Sequence, residues 1–254
     1  MTITKSEAVK NQCKQLRLST VANSIDETLT DAEKEKITYL DFLYWLFNTE
    51  ISKRMEKEKD KRTKQARLPL CHNLNLYDFN CENSMSPQEL KQLREMKWLE
   101  QNYNVILMGP SGTGKTYIAG GLCFDAVDLG YRAYFQTMES LIKVLKMKEI
   151  TKSAATEYKR IVNAHLLIID DIMMFPVTKE DAVRFFNLIN ELHNKTSLVI
   201  TTNKSPKEWA DVLNDTVLTT AILDRILYRC EIIKLTGKSY RMQNRKSFLQ
   251  NKKN

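Results

Sequence analysis

NVILMGPSGTGKT, Asn104 to Thr116, is the stretch on which the fold turns. A short apolar run, NVILM, passes directly into Gly109-Pro110-Ser111-Gly112-Thr113-Gly114-Lys115-Thr116, and a helix-forming segment follows. This is the pattern GxxxxGK[S/T] in its working context, strand before and helix after. Its glycines let the backbone wrap closely, so that successive N–H groups point inward at phosphate oxygens. The following helix adds its positive N-terminal end. Lys115 is placed to reach the β- and γ-phosphates, and the Thr116 hydroxyl to ligate magnesium. The stretch therefore predicts a magnesium–nucleotide site in a chain built from strands and helices.

Working outward, LLIIDDIMMF, Leu166 to Phe175, ends an aliphatic run on two carboxylates. A carboxylate at the carboxyl end of a neighbouring strand can hold the metal's water shell, and Asp170 stands there. Asp171 is open to two readings: a general base that orients or deprotonates the attacking water, or the N-cap of a helix. The run SLVITT ends at Thr201-Thr202-Asn203. Asn203 is expected to lie between the acidic strand and the phosphate loop, in reach of water or γ-phosphate, although it also suits a plain turn.

Five short greasy segments recur after residue 103: NVILM (104–108), YRAYF (131–135), LLII (166–169), SLVITT (197–202) and CEIIKL (230–235). Segments long enough for helices separate them. Strands apolar on both faces and spaced by helices indicate a five-stranded parallel sheet with helices on both faces. Ser86-Pro87-Gln88-Glu89 marks a helix start, with serine as cap and proline at the first position. Ser205-Pro206-Lys207-Glu208 does the same later in the chain.

The first third reads as helical. Thr30-Asp31-Ala32-Glu33 is expected as a capping box. The following TYLDFLYWLFNTEI repeats apolar side chains at helical spacing through Tyr39, Leu40, Leu43, Leu46, Phe47 and Ile51, and Phe42 and Trp45 broaden the stripe. The expected organisation is a small helical domain over 1–68, a linker over 69–85, and the α/β domain over 86–254.

Hydrophobic content of 43% with 28% charged residues suits a soluble globular chain, and no run is long enough for a membrane helix. The N-terminus has no apolar signal segment, and the five cysteines are scattered, so reduced thiols and a cytoplasmic location are expected. Cys71, His72 and Cys81 lack a fourth ligand and finger spacing, so no zinc site is assigned. The net charge of +8 is uneven. Lys53 to Arg67 holds eight basic residues against three acidic ones, and the chain from Ile232 onward holds seven basic residues and no acidic one. Both tracts suit phosphate contact or a solvated surface.

Phosphate loop, acidic strand end and strand-end Asn203, with one more strand between the first two, resemble the AAA+ ATPases. Ala221-Ile222-Leu223-Asp224-Arg225-Ile226-Leu227-Tyr228-Arg229, Gly237-Lys238-Ser239-Tyr240-Arg241, Trp209, and the N-terminal YLDFLYWLFNTEISKR with its following ARLP narrow this to the IstB family. These are helper ATPases encoded beside the transposase in bacterial insertion sequences, related to the DnaC helicase loaders. The resemblance covers about Tyr39 to Arg241. It implies that Arg225 is the finger reaching the γ-phosphate of a neighbouring subunit, with Arg229 as the other candidate, and that Arg241 contacts phosphate from its own subunit. It further implies ATP with Mg2+ as cofactors, homo-oligomer assembly through the ATP sites, duplex DNA and the transposase as partners, and no membrane partner.

The chain departs from the family's usual pattern at Ile172-Met173-Met174, where many relatives have glycine soon after the paired acids, and at Tyr228, where they often carry histidine. The alternatives are a DnaC-like helicase loader, a small-molecule kinase, and a binding module in which ATP only joins subunits. The resemblance to the trans-acting arginine pattern, together with Asn203 and the basic N-terminal helix, argues against the kinase.

Overall fold

The computed structural model describes residues 4–79, 85–173, 177–213, 215–243 and 245. They form two compact units, Met1–Lys61 and Arg62–Asn254. The division falls inside a helix.

The first unit holds α1 (Lys5–Gln15), α2 (Ser19–Glu35) and most of α3 (Tyr39–Ala66). Its small core joins Cys13, Val21, Ala22 and Ile25 to one side of α3 through Phe42 and Leu46. One turn further along the same side of α3, the buried carboxylate of Glu50 accepts from the Thr20 and Val21 N–H groups, at 2.8 and 3.1 Å, and from Arg54 Nε at 2.8 Å. A side chain of α3 thus satisfies the open N-terminus of α2, whose own Leu18 supplies no cap. Of the apolar stripe expected on α3, Phe42 and Leu46 pack inward; Tyr39, Leu40, Leu43, Trp45, Phe47 and Ile51 are exposed.

The capping box expected at Thr30–Glu33 does not form. Thr30 lies within α2 and its hydroxyl donates back to the Asp26 carbonyl at 2.9 Å, the alternative that threonine finds in a helix interior. The helix start falls instead at Thr38, whose hydroxyl exchanges hydrogen bonds with the Asp41 side chain and N–H.

In the second unit, α4 (Pro87–Arg94) begins as expected, with Ser86 and Glu89 forming a reciprocal cap. After α5 (Lys97–Glu100) the elements alternate: β1 (Asn104–Met108), α6 (Lys115–Asp128), β2 (Ala133–Thr137), α7 (Met138–Met147), α8 (Lys152–Val162), β3 (Leu166–Asp170), α9 (Lys179–Leu192), β4 (Ser197–Thr202), α10 (Trp209–Leu213), α11 (Thr216–Leu227), β5 (Cys230–Lys234) and α12 (Tyr240–Gln243). The five strands are parallel in the order β2-β3-β4-β1-β5. The second strand begins two residues later than YRAYF suggests.

Alternate residues of each strand feed two cores. Val105, Leu107, Ile168 and Val199 pack with Ile118 and Leu122 of α6, while Ile106, Ile169 and Ile200 pack with Phe185, Trp209 and Ile222 on the opposite face.

Within the described part of residues 69–85, Leu74 and Met85 are buried in this unit, while Leu70 and Leu76 stand exposed. A β-carbon at Gly121 of α6 would land 2.2 Å from Leu74 Cγ. A β-carbon at Gly120 would likewise land 2.5 Å from Pro69 Cγ. Paired glycines on α6 let this segment lie against the helix that follows the phosphate loop. Apolar burial, absent from the local period of the sequence, holds it there. Among the described residues, no helix is long and apolar enough to cross a membrane.

Candidate functional site

The site gathers at the carboxyl ends of β1, β3 and β4, which are neighbours because β4 lies between the other two. Sheet order thus puts the ends of the three motif-bearing strands side by side. A twisted parallel sheet opens its ligand crevice at this edge.

The loop Gly109, Pro110, Ser111, Gly112, Thr113, Gly114 leads into α6. Gly114 caps that helix with left-handed backbone and no side-chain hydrogen bond, so the first N–H groups of a 14-residue helix have no side-chain cap. Thr113 Oγ1 donates to the Pro110 carbonyl at 2.9 Å, closing the loop on itself. Gly112 has φ +84°, and a β-carbon there would meet Ser239 Oγ at 2.1 Å. Ser239 precedes α12, and the Tyr240 N–H donates to the Gly112 carbonyl at 2.9 Å. The segment carrying Arg241 is therefore seated on the phosphate loop of its own chain.

Lys115 is buried, with Nζ donating to the Gly109 and Pro110 carbonyls at 2.8 and 2.7 Å. Burial holds its ammonium below the ordinary lysine range; Asp171 and Asp170 oppose this, and Arg241 reinforces it. Four of the expected site residues thus share one electrostatic neighbourhood.

Thr116 Oγ1 donates to Asp170 Oδ1 at 3.0 Å, and Thr201 Oγ1 donates to the same oxygen at 2.5 Å. Burial pushes the Asp170 carboxyl above its ordinary range; the neighbouring Asp171 charge adds to this, while the two hydroxyls and Lys115 work against it. A buried carboxylate so placed beside a threonine hydroxyl is the donor set a hard, oxygen-seeking cation stabilises, so Thr116 and Asp170 fit magnesium.

Asp171 is exposed and takes left-handed backbone, φ +55°. It caps no helix: residues 171–173 form a turn, and α9 is capped by Thr178. Ile172 and Met173 are fully buried in the core, and Met173 is also left-handed at φ +59°. Met174 and Phe175 lie outside the described residues, as does Cys81. His72 is engaged elsewhere, its Nδ1 2.6 Å from the Pro69 carbonyl and its ring against Phe124.

Asn203 is exposed in the bend after β4. The Thr202 hydroxyl accepts from the Lys204 N–H at 3.0 Å and donates to its carbonyl at 3.1 Å, which shapes that bend.

Arg225 is not brought to this edge. Its Nε donates to Asn190 Oδ1 at 2.9 Å, one terminal nitrogen to the Ala221 carbonyl at 2.8 Å, and its guanidinium lies over the Phe186 ring. With Arg229 it lines a hollow that also includes Asn104 and Leu198, near the starts of β1 and β4. The length of β1, about 16 Å at 3.3 Å per residue, separates that end from the loop. Arg229 donates to the Gln101 carbonyl at the same end.

Thr201 is the member that sequence reasoning passed over. A β-branched residue inside an apolar strand reads as strand filler, and only its neighbour across the sheet reveals its hydroxyl's task.

Residues 11–248 match the family described as IstB-like ATP binding protein. The chain is 44% identical over 97% of its length to an insertion sequence IS21-like putative ATP-binding protein of Bacteroides fragilis, covering 94% of that protein. Among solved structures it is similar to DnaI, with TM-score 0.56 at 17% identity, over 68% of this chain and 94% of that one. It is also similar to AMPPCP-bound DnaA from Aquifex aeolicus, with TM-score 0.54 at 17% identity, over 66% of this chain and 51% of that one.

Proposed function

This chain belongs to the IstB-like ATP binding proteins, and on that premise we propose that it is the ATP-dependent DNA-binding helper of an insertion sequence, one that assembles on target duplex DNA and recruits and activates its partner transposase. The observation carrying this reading is the division of labour across the sheet. The phosphate loop, Asp170, Asp171, Asn203 and the Arg241 segment lie at one edge, whereas Arg225 is held near the other. An arginine so placed serves nucleotide chemistry only on a second copy of the chain, so hydrolysis and homo-oligomer assembly become one event.

Loop N–H groups, the α6 N-terminus and Lys115 bind the ATP phosphates. Thr116 and Asp170 would hold Mg2+, whose chemistry is to neutralise phosphate charge. Asp171 accepts a proton from the attacking water as its oxygen bonds to the γ-phosphorus and the bond to ADP breaks. Asn203 orients that water, Arg241 steadies phosphate from the same subunit, and Arg225 of a neighbouring copy balances the developing charge.

Hydrolysis then resets the assembly. The basic tract Lys53–Arg67 supplies phosphate contacts to the duplex, which position the protein without reading sequence. The insertion-sequence name of the Bacteroides fragilis relative and the AMPPCP held by the DnaA structure support this reading. The chain acts in the cytoplasm, with the helical domain of residues 1–68 preceding the ATPase domain.

Lys115→Ala tests the assembly. Nucleotide binding and ATP-dependent binding to duplex DNA are expected to disappear together, measured by filter binding and visualised by electron microscopy with ATP. Tight ATP-dependent DNA binding by that variant would overturn the proposal. Recovery of a replicative helicase and no transposase in pull-downs would replace it with a helicase loader.

A further inference from the structure

We propose that Thr201 is a positioning residue that sets Asp170 and Asp171 for hydrolysis, an inference that rests on the ATPase reading above. Thr201 is fully buried near the carboxyl end of β4. The β3–β4 ladder ends at Ile169 opposite Ile200, while Asp170 still pairs with Thr137 of β2 and β4 continues beside β1 through Leu107–Thr201 and Met108–Thr202. Thr201 stands just beyond the last β3–β4 pair.

Its hydroxyl donates its one proton to Asp170 Oδ1 at 2.5 Å and accepts the Asp171 N–H at 2.8 Å. Its carbonyl accepts the Ile172 N–H at 3.0 Å. One residue therefore grips three consecutive positions of the acidic turn.

Each bond has a separate consequence. With Thr116, the Thr201 hydroxyl fixes Oδ1, and no group among the described residues donates to Oδ2 of the same carboxylate. That sets how Asp170 faces the site. The bond from the Asp171 N–H holds Asp171 at φ +55°, a region that residues other than glycine visit sparingly. That sets where the Asp171 carboxylate stands. Only a side chain that donates and accepts at once does both. Serine can, valine can do neither, and valine otherwise keeps threonine's shape.

The test compares Thr201→Val with Thr201→Ser. In the nucleotide-free protein, exchange of the Asp171 amide, followed by nuclear magnetic resonance, is expected to quicken about tenfold or more in Thr201→Val, the loss of a hydrogen bond worth roughly that factor. It stays near wild type in Thr201→Ser. With ATP and duplex DNA, kcat of Thr201→Val is expected to fall about tenfold or more, while nucleotide affinity and KM hold within about threefold. Thr201→Ser restores kcat.

A residue that merely filled space gives the reverse order, because serine leaves a hole and valine does not. Should Thr201→Val fail to fold, Thr201→Cys, with its weak thiol donor, takes its place with the same expected losses. Wild-type kcat and unchanged Asp171 exchange in the valine variant, or a serine variant as poor as valine, overturns the role. A wild-type chain that hydrolyses no ATP overturns the ATPase reading itself and this role with it, so the two failures are told apart.

Discussion

Asp171→Asn exchanges one carboxylate oxygen for an amide and leaves the backbone demand of the turn unchanged. The residue is exposed, its N–H bond to Thr201 is a backbone bond, and asparagine accepts left-handed backbone as readily as aspartate. The fold should therefore lose no more than about 0.5 kcal/mol.

The chemical loss is far larger. Removing a positioned general base typically costs about 100- to 10,000-fold in rate, which is about 2.7–5.4 kcal/mol at 1.36 kcal/mol per decade. The substitution also takes away a charge that supports the buried Lys115 ammonium, but Asp170 stays beside it. Nucleotide affinity should thus move by less than about tenfold, since one solvent-exposed neighbouring charge counts for about 1 kcal/mol. Phosphate release measured with ATP and duplex DNA, beside titration of a fluorescent nucleotide, separates the two effects. Electron microscopy should find the variant held as an ATP-bound, DNA-loaded assembly. Ordinary turnover by Asp171→Asn would refute the base assignment, because the structure leaves the side chain no helix-capping role to fall back on.

Arg225→Ala should keep nucleotide binding within about twofold, since its target is on another copy, and lose at least about 1,000-fold in hydrolysis, the usual worth of such a finger. Mixing it with Lys115→Ala subunits should restore part of the turnover; an Arg225→Ala chain with normal kcat, alongside an inactive Arg229→Ala, would move the finger to Arg229.

Glu50 tests the first unit. Burial pushes its carboxyl up, but the Val21 N–H, the Arg54 guanidinium and the Thr20 N–H outweigh that and hold it below the ordinary range. A depressed folded value means that its stabilisation is complete above the unfolded carboxylate range and fades as pH falls through the folded one. Glu50→Gln should cost the helical unit about 2 kcal/mol near neutral pH, from weakened charge-assisted bonds, and should flatten the loss of thermal stability on acidification. Circular dichroism melts with identical acid dependence in both proteins would contradict the capping role.

The parts of the site legible in the residues are those whose geometry is local. Gly109 to Thr116 carries its own turn, anion-binding N–H groups and helix start, and Asp170 needs only to end an apolar strand. The starts at Ser86 and Ser205 were readable for the same reason, since a cap and its partner are three residues apart. The start near Thr30 was misplaced because the same four-residue pattern suits a helix interior when the surrounding segment is helical on both sides.

Residues 69–79 have no period to read. They are ordered by glycines some fifty residues away in the chain, whose missing side chains admit Pro69 and Leu74.

Sequence alone determined that this protein has a strand-loop-helix phosphate cradle, a parallel sheet buried on both faces, and an acidic strand end, because backbone conformation and hydrophobic period are short-range properties. Tertiary structure decided which strands are neighbours. Placing β4 between β3 and β1 brings Thr201 against Asp170 and Asp171, sets Asn203 beside the loop, and leaves Arg225 near the far end of the sheet. Strand order follows from burial summed over the whole domain, which no local stretch of residues encodes.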